Sequence, residues 1–252
     1  MLFRSDVSLT PAGQTFLPEA RAMVQQVRFA SKLAAVMQAP EQTPLAMGFS
    51  LSMLDSTATL LVSQWRRRHP QYPLELREDS SAKLLEQLLS GQVDVAAVHR
   101  PLVMPDDLKY QLIERRNLVA AIPANSPAVE AGFLTLRDLG AIPLIMFPRA
   151  ADPACYDHLI ESFTAERVVP SLRHEAYSVG ARLRLVAAGF GATLVPASIT
   201  NDLPANVVLR VVTDLPRAVH SDIVLTWHAL AHPTRSKAFT ALATAIRTKL
   251  VA

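Results

Sequence analysis

The chain has 252 residues, 50% of them hydrophobic and 19% charged, with a formal charge of +3 at neutral pH and a pI near 9.2. That composition excludes a disordered chain and a polyelectrolyte coating nucleic acid indiscriminately, and the length allows one large domain or two modest ones. The single cysteine, Cys155, excludes an intrachain disulfide and a cysteine-based zinc site; with no apolar signal core at the start and no apolar run of about 18 residues, a cytoplasmic location with no membrane partner is expected.

Thr10 suits a helix cap and Pro11 a first helical position, where a missing N–H costs nothing; the next stop signal is Pro40. Between them Phe16, Ala20, Met23, Val27, Ala30, Ala34 and Met37 step alternately by four and three residues, which places them on one narrow stripe. This rhythm predicts a coiled-coil seam on a helix roughly 40 Å long, and with it a homodimer. The alternative is an amphipathic helix lying on the chain's own globular body. Residues 1–40 carry four Lys or Arg against two acids, so any contact with DNA is local.

After the breakers at Ala39–Pro44 the pattern changes to short strands alternating with amphipathic helices. Leu45 to Ser50, Leu74 to Glu78 and Val93 to Val98 read as strands, with helices from Ser56 to His69 and from Ala82 to Ser90 between them. This βαβαβ unit implies a parallel sheet with right-handed crossovers. A second α/β lobe follows, with strands at Leu118 to Ile122, Pro143 to Met146, Ser171 to Ala176 and Ala192 to Val195, and helices at Pro153 to Ala165 and Val179 to Ala188. Strands at Val207 to Val212 and Asp222 to Trp227 and a helix from Thr234 to Leu250 return the chain to the first lobe. Two lobes joined by two crossings form a cleft that can hinge, and ligands of open parallel sheets bind at the carboxyl ends of strands.

The run Phe3-Arg4-Ser5-Asp6-Val7-Ser8-Leu9-Thr10-Pro11-Ala12-Gly13-Gln14-Thr15-Phe16-Leu17 resembles the wing and linker-helix start of LysR-type transcriptional regulators. The likeness continues through the stretches Leu84–Asp94, Phe147-Pro148-Arg149 and Leu185–Pro196, and so covers the whole chain. The resemblance implies the remnant of a winged helix-turn-helix over 1–10, a linker and dimerisation helix over 11–40, and a two-lobed α/β effector-binding domain built like a periplasmic solute receptor. Its first lobe is expected over 44–118, its second over 119–213, and the return over 214–252. The family's recognition helix lies before the wing, whereas nine residues precede Thr10 here. Base readout needs that helix. Either the start has been placed too far downstream, or this is a truncated product that dimerises and binds effector without reading an operator. DNA is a partner only if the missing helices are present in the real product, with Arg4 left to touch a phosphate.

Candidate ligand groups stand just beyond strand ends: Ser50 and Ser52 after the first strand, Ser80 and Ser81 after the second, and Ser178 before a second-lobe helix. Hydroxyls and N–H groups converging at helix N-termini favour an anion; each serine could equally be only a helix cap. The resemblance puts Ser52 at the mouth of the first strand and Ser81 at a position that commonly holds an effector carboxylate. His99 follows the third strand, where some relatives carry an arginine, with Arg100 one residue on; each has a purely structural alternative. Arg149 offers a bidentate guanidinium from the opposite lobe or else a surface loop residue. Tyr177 lines the apolar part of the pocket or sits in the core.

Several enzyme-like signals are weak. Ser80-Ser81-Ala82-Lys83 has nucleophile spacing without a second motif, and His228 and His232 stand four apart but before Pro233. Gly189-Phe190-Gly191 lacks the third glycine of a dinucleotide fingerprint, and Cys155 has no close sequence cation. Arg66-Arg67-Arg68 complements a helix end. No enzyme activity, cofactor or metal ion is expected. The expectation is a regulator sensing a small anionic metabolite, possessed of a dimeric or tetrameric assembly; the alternatives are a stand-alone solute-binding protein and a hydrolase lacking a visible base and orienting residue.

Overall fold

The computed structural model describes residues 8–39, 43–53, 57–130, 132–199 and 203–251. Arg4 and most of the expected wing remnant lie outside the described residues. Helix α1 (Pro11–Gln38) starts as its sequence predicts: Thr10 caps it, its hydroxyl accepting from the Gly13 N–H at 3.1 Å, and it carries through Pro18 to its end.

The first lobe opens with β1 (Leu45–Ser50), α2 (Thr57–Arg68), β2 (Leu74–Asp79), α3 (Ser81–Leu89) and β3 (Val95–His99). Strand β1 pairs in parallel with both β2 and β3, as the βαβαβ reading requires. Next comes β4 (Leu108–Pro123), then β5 (Phe133–Leu134), α4 (Leu136–Gly140), β6 (Leu144–Met146), α5 (Pro153–Ala165), β7 (Leu172–Glu175), α6 (Val179–Ala187) and β8 (Thr193–Pro196). The chain ends with β9 (Val207–Val212), β10 (His220–His228) and α7 (Pro233–Val251).

Strand β4 is the spine of the molecule. Its first part, Leu108–Asn117, pairs antiparallel with β10, which in turn pairs with β3 in the first lobe; its last part, Leu118–Pro123, pairs with β8 and β9 in the second. The expected strand at Leu118 to Ile122 is therefore only the end of a strand of 16 residues. The chain crosses between lobes once inside β4 and again between β9 and β10.

Eight strands, in the order β2-β1-β3-β10-β4-β9-β5 with β8 also on β4, run through both lobes, and β6 pairs with β7; in each lobe the strands are covered on both faces. In the first lobe Met47, Phe49, Trp65, Trp227 and Phe239 belong to one apolar cluster, and Leu84, Leu88, Val98 and Val224 to another. In the second, Leu144, Cys155, Leu159 and Phe163 pack on one side and Ile145, Val179, Leu183 and Val186 on the other. Gly191, at φ +140°, allows β8 to pass Pro143: a Cβ there would lie 2.0 Å from the Pro143 carbonyl oxygen.

Helix α1 divides its faces. Near its C-terminal end Phe29 stacks on His228 with ring centroids 4.5 Å apart, Lys32 pairs with Asp94 at 3.0 Å, and Val36 is buried. Gly91, at φ +70°, lies beneath Phe29, where a Cβ would meet the ring at 2.5 Å. The heptad stripe is a different one: Phe16 is 63% and Val27 66% exposed, Met23, Ala30, Ala34 and Met37 are exposed, and Ala20 is half-buried. The helix thus lies on its own first lobe through one face while the seam residues stay uncovered. No helix among the described residues is long and apolar enough to cross a membrane.

Candidate functional site

Between the lobes lies a cavity of about 40 Å³. The first lobe supplies Ser52 from the turn after β1, His99 from the end of β3, Arg116 from β4, and Ser221 from β10; the second supplies Leu118 from the end of β4, Phe147, Asp152, Cys155, Tyr177, Arg182 and Leu194, among others. Every strand contributing from the first lobe does so where it meets the second, so the crossing points of the chain build the site.

His99 is its centre. Its ring Nε2 meets Ser52 Oγ at 2.5 Å, and its Nδ1 meets Ser221 Oγ at 2.8 Å and Asp152 Oδ2 at 3.1 Å. Its backbone N–H donates to Ser81 Oγ at 3.2 Å, and that hydroxyl donates to Ser50 Oγ at 3.2 Å. His99 is 7% and Asp152 4% exposed. Asp152 belongs to the opposite lobe: it caps α5, accepting from the Cys155 N–H at 3.3 Å just before Pro153. The His99–Asp152 contact therefore bridges the cleft.

Two arginines reach the cavity, in opposite electrostatic situations. Arg116 pairs with Glu114 at 2.9 Å and donates to Thr57 Oγ1, which itself donates to Glu114 at 2.7 Å, so its charge is matched. Arg182, only 4% exposed, donates to the Leu194 carbonyl at 2.9 Å and more weakly to Thr193 Oγ1 at 3.4 Å, and stands over the Phe147 ring at 5.4 Å. Among the described residues it has no carboxylate partner, and its Nε–H is unsatisfied. Burial lowers its pKa to about 10, still leaving it charged near neutrality. Beside it, burial and then the Asp152 charge push the Cys155 thiol well up, so this cysteine is a wall residue with little thiolate.

The structure brings together part of the candidate set. Ser52, His99 and Tyr177 line the cavity, and Ser50 and Ser81 stand behind His99 as its buried support. Ser80 and Ser178 are helix caps, accepting from the Lys83 and Ala181 N–H groups. Arg100 turns outward, 5.4 Å from the Tyr110 ring centroid and bonded to its hydroxyl. Arg149 does not reach the cavity either: Asp157, one turn into α5, takes it in a bidentate pair at 2.7 and 2.6 Å, and its side chain remains 59% exposed. Arg116, Asp152, Arg182 and Ser221 were not among the candidates. The signal for Arg182 was present, because Val179, Arg182, Leu183 and Val186 share the inward stripe of α6. His228 and His232 each accept a backbone N–H on Nδ1, from Leu230 and Thr234.

A family model described as the LysR substrate binding domain matches residues 38–250. The HTH-type transcriptional regulator AlsR of Bacillus subtilis is 31% identical over 192 residues, which are 76% of this chain and 63% of that relative. The chain spans under two thirds of the length of the curated relatives AlsR, YnfL and BenM. Among solved structures, the BenM effector binding domain with its effector benzoate superposes with a TM-score of 0.70 at 22% identity, covering 82% of this chain and 92% of that one. Full-length CbnR in complex with its target DNA gives 0.70 at 19% identity, covering 98% and 84%. These structural likenesses establish the fold.

Proposed function

Since the chain belongs to the LysR family of transcriptional regulators, matched through their effector-binding domain, we propose that its cleft captures a small carboxylate metabolite and that capture draws the lobes together, changing how copies of the chain control transcription. One observation carries the reading: Arg182, a buried guanidinium without a carboxylate partner among the described residues, faces a mostly apolar cavity whose far side offers Ser52 and His99. An incoming carboxylate supplies what Arg182 lacks, and a bidentate contact orients it. That the neighbouring fold of BenM holds benzoate is consistent with such a ligand. At about 40 Å³ the cavity holds a few waters, so a ligand of any size must move one lobe against the other.

Around this sensor we place the remaining roles: self-association through the uncovered stripe of α1, action on DNA in the manner the relatives' names state, and a cytoplasmic setting. Calorimetric titration of the full chain with a panel of small carboxylates tests the core of it. Wild type binds at least one acid; Arg182→Met weakens that acid about 30-fold or more, the roughly 2 kcal/mol of a charge-assisted hydrogen bond, and Ser52→Ala about fivefold. Unchanged affinity in Arg182→Met overturns the assignment.

A second reading rests on one observation. Ser52, His99 and Asp152 stand in the order nucleophile, base and orienting carboxylate, the pair that the sequence did not reveal for a hydrolase. It ranks below effector binding because Ser221 meets the same ring nitrogen at the shorter distance and the relatives are regulators. A fluorophosphonate that labels Ser52 in wild type and not in His99→Ala would raise it; no labelling removes it.

A further inference from the structure

We infer that the cleft accepts acids carrying a single negative charge and rejects dicarboxylates, and that Asp152 is the residue that sets this limit. The inference rests on the carboxylate reading above and goes further by naming the charge of the ligand.

The charged and titratable groups that face the cavity and their close partners can be balanced. Arg182 brings one positive charge with no carboxylate paired to it among the described residues, Arg116 brings another that Glu114 already matches at 2.9 Å, and Asp152 brings one negative charge. Cys155 is neutral, its thiol pushed up by burial. His99 decides the remainder through its 3.1 Å contact with Asp152. If the ring is protonated, the His99–Asp152 pair is neutral and one ligand charge opposite Arg182 brings the cavity to balance. If the ring is neutral, Asp152 already offsets Arg182 on the same lobe, so one ligand charge leaves the cavity one negative and a second meets a stronger repulsion. In both states a dianion leaves an uncompensated negative charge in a buried, low-dielectric place, where its cost is large.

Geometry agrees. Both Asp152 oxygens are engaged, Oδ1 by the Cys155 N–H and Oδ2 by His99, so the carboxylate is held at the wall and cannot swing away from an arriving anion. The surface left for the body of the ligand is Leu118, Phe147, Val179, Leu194 and Pro196, which offers no second cationic pole. Selectivity here is built by a repulsive group as much as by an attractive one.

The test uses size-matched pairs, benzoate against terephthalate and butyrate against succinate, titrated into the full chain, Asp152→Asn and Arg182→Met. Asparagine also caps helices, so Asp152→Asn preserves the start of α5; a thermal melt checks that it folds. In wild type the monocarboxylate of at least one pair binds and its dicarboxylate is weaker by about tenfold or more, the effect of one like charge at close range. Asp152→Asn narrows that gap to about threefold or less by admitting the dicarboxylate, whereas Arg182→Met weakens both members. Equal binding of both members by wild type, or a gap that Asp152→Asn leaves unchanged, overturns this inference while leaving carboxylate sensing intact. Absence of binding by every acid overturns the carboxylate reading itself.

Discussion

A guanidinium taken out of water without a counter-charge weakens the fold that buries it, because the desolvation is not returned by Coulomb attraction. Arg182 is in that position, with a carbonyl, a distant hydroxyl and the Phe147 face as its company. Replacement by methionine, similar in length and apolar, should therefore leave the melting temperature unchanged or raise it by up to about 4 °C, roughly 1 kcal/mol in a chain of this size, while binding is lost. A fall of more than about 5 °C in scanning calorimetry would mean that the charge holds the lobe together instead of waiting for a ligand. The serines and His99 were legible in the sequence because they follow strand ends, where ligands of such sheets gather. Arg182 was not, since a helix carrying both Arg182 and Arg184 says nothing by composition about which points inward; only the stripe shared with Val179, Leu183 and Val186 separates them. Arg149 misled for the opposite reason. Its carboxylate, Asp157, lies on the next helix and captures it before it can reach the cleft.

At the level of elements, hydrophobic period carried most of the architecture. It failed over Leu108–Asn117, where Lys109, Glu114, Arg115 and Arg116 interrupt the alternation and Ile113 lies at a register shift in the pairing with β10. Charged side chains in that strand are accommodated by partners which no single-chain pattern displays: Asp222 for Arg115, Glu114 and Thr57 for Arg116. Helix α1 shows two stripes at once, and they predict different consequences. Val27→Glu, on the exposed seam, should abolish self-association in sedimentation velocity while changing the stability of the chain by no more than about 0.5 kcal/mol. Phe29→Ala, on the face against His228 and Gly91, should cost about 1–3 kcal/mol in denaturant unfolding. A Val27→Glu chain that still associates as wild type does would remove the seam from the dimer.

The whole molecule is two sandwiches strung on one long strand. Among the described residues, the apolar clusters of the first lobe share no member with those of the second, and His99 with Asp152 makes a polar contact that bridges the cleft. Weak cooperativity between lobes is the expectation for the free chain, since the apolar clusters of the two lobes are separate and the strand that passes between them pairs with different partners on either side. A ligand touching both lobes changes that balance: bound only when they are closed, it adds about 2.7 kcal/mol at a concentration one hundred times its dissociation constant. Unliganded chain should accordingly melt in two overlapping calorimetric transitions, one per lobe, and a saturating monocarboxylate should raise the lower one and merge it with the upper. Hydrogen exchange should slow on both walls together, around His99 and Ser221 on one side and Val179–Ala187 on the other, while the exposed first half of α1 exchanges as before. A single sharp transition with and without ligand, or protection confined to one wall, would mean that the lobes are already one rigid body and that effector binding reaches the rest of the chain by some route other than closure.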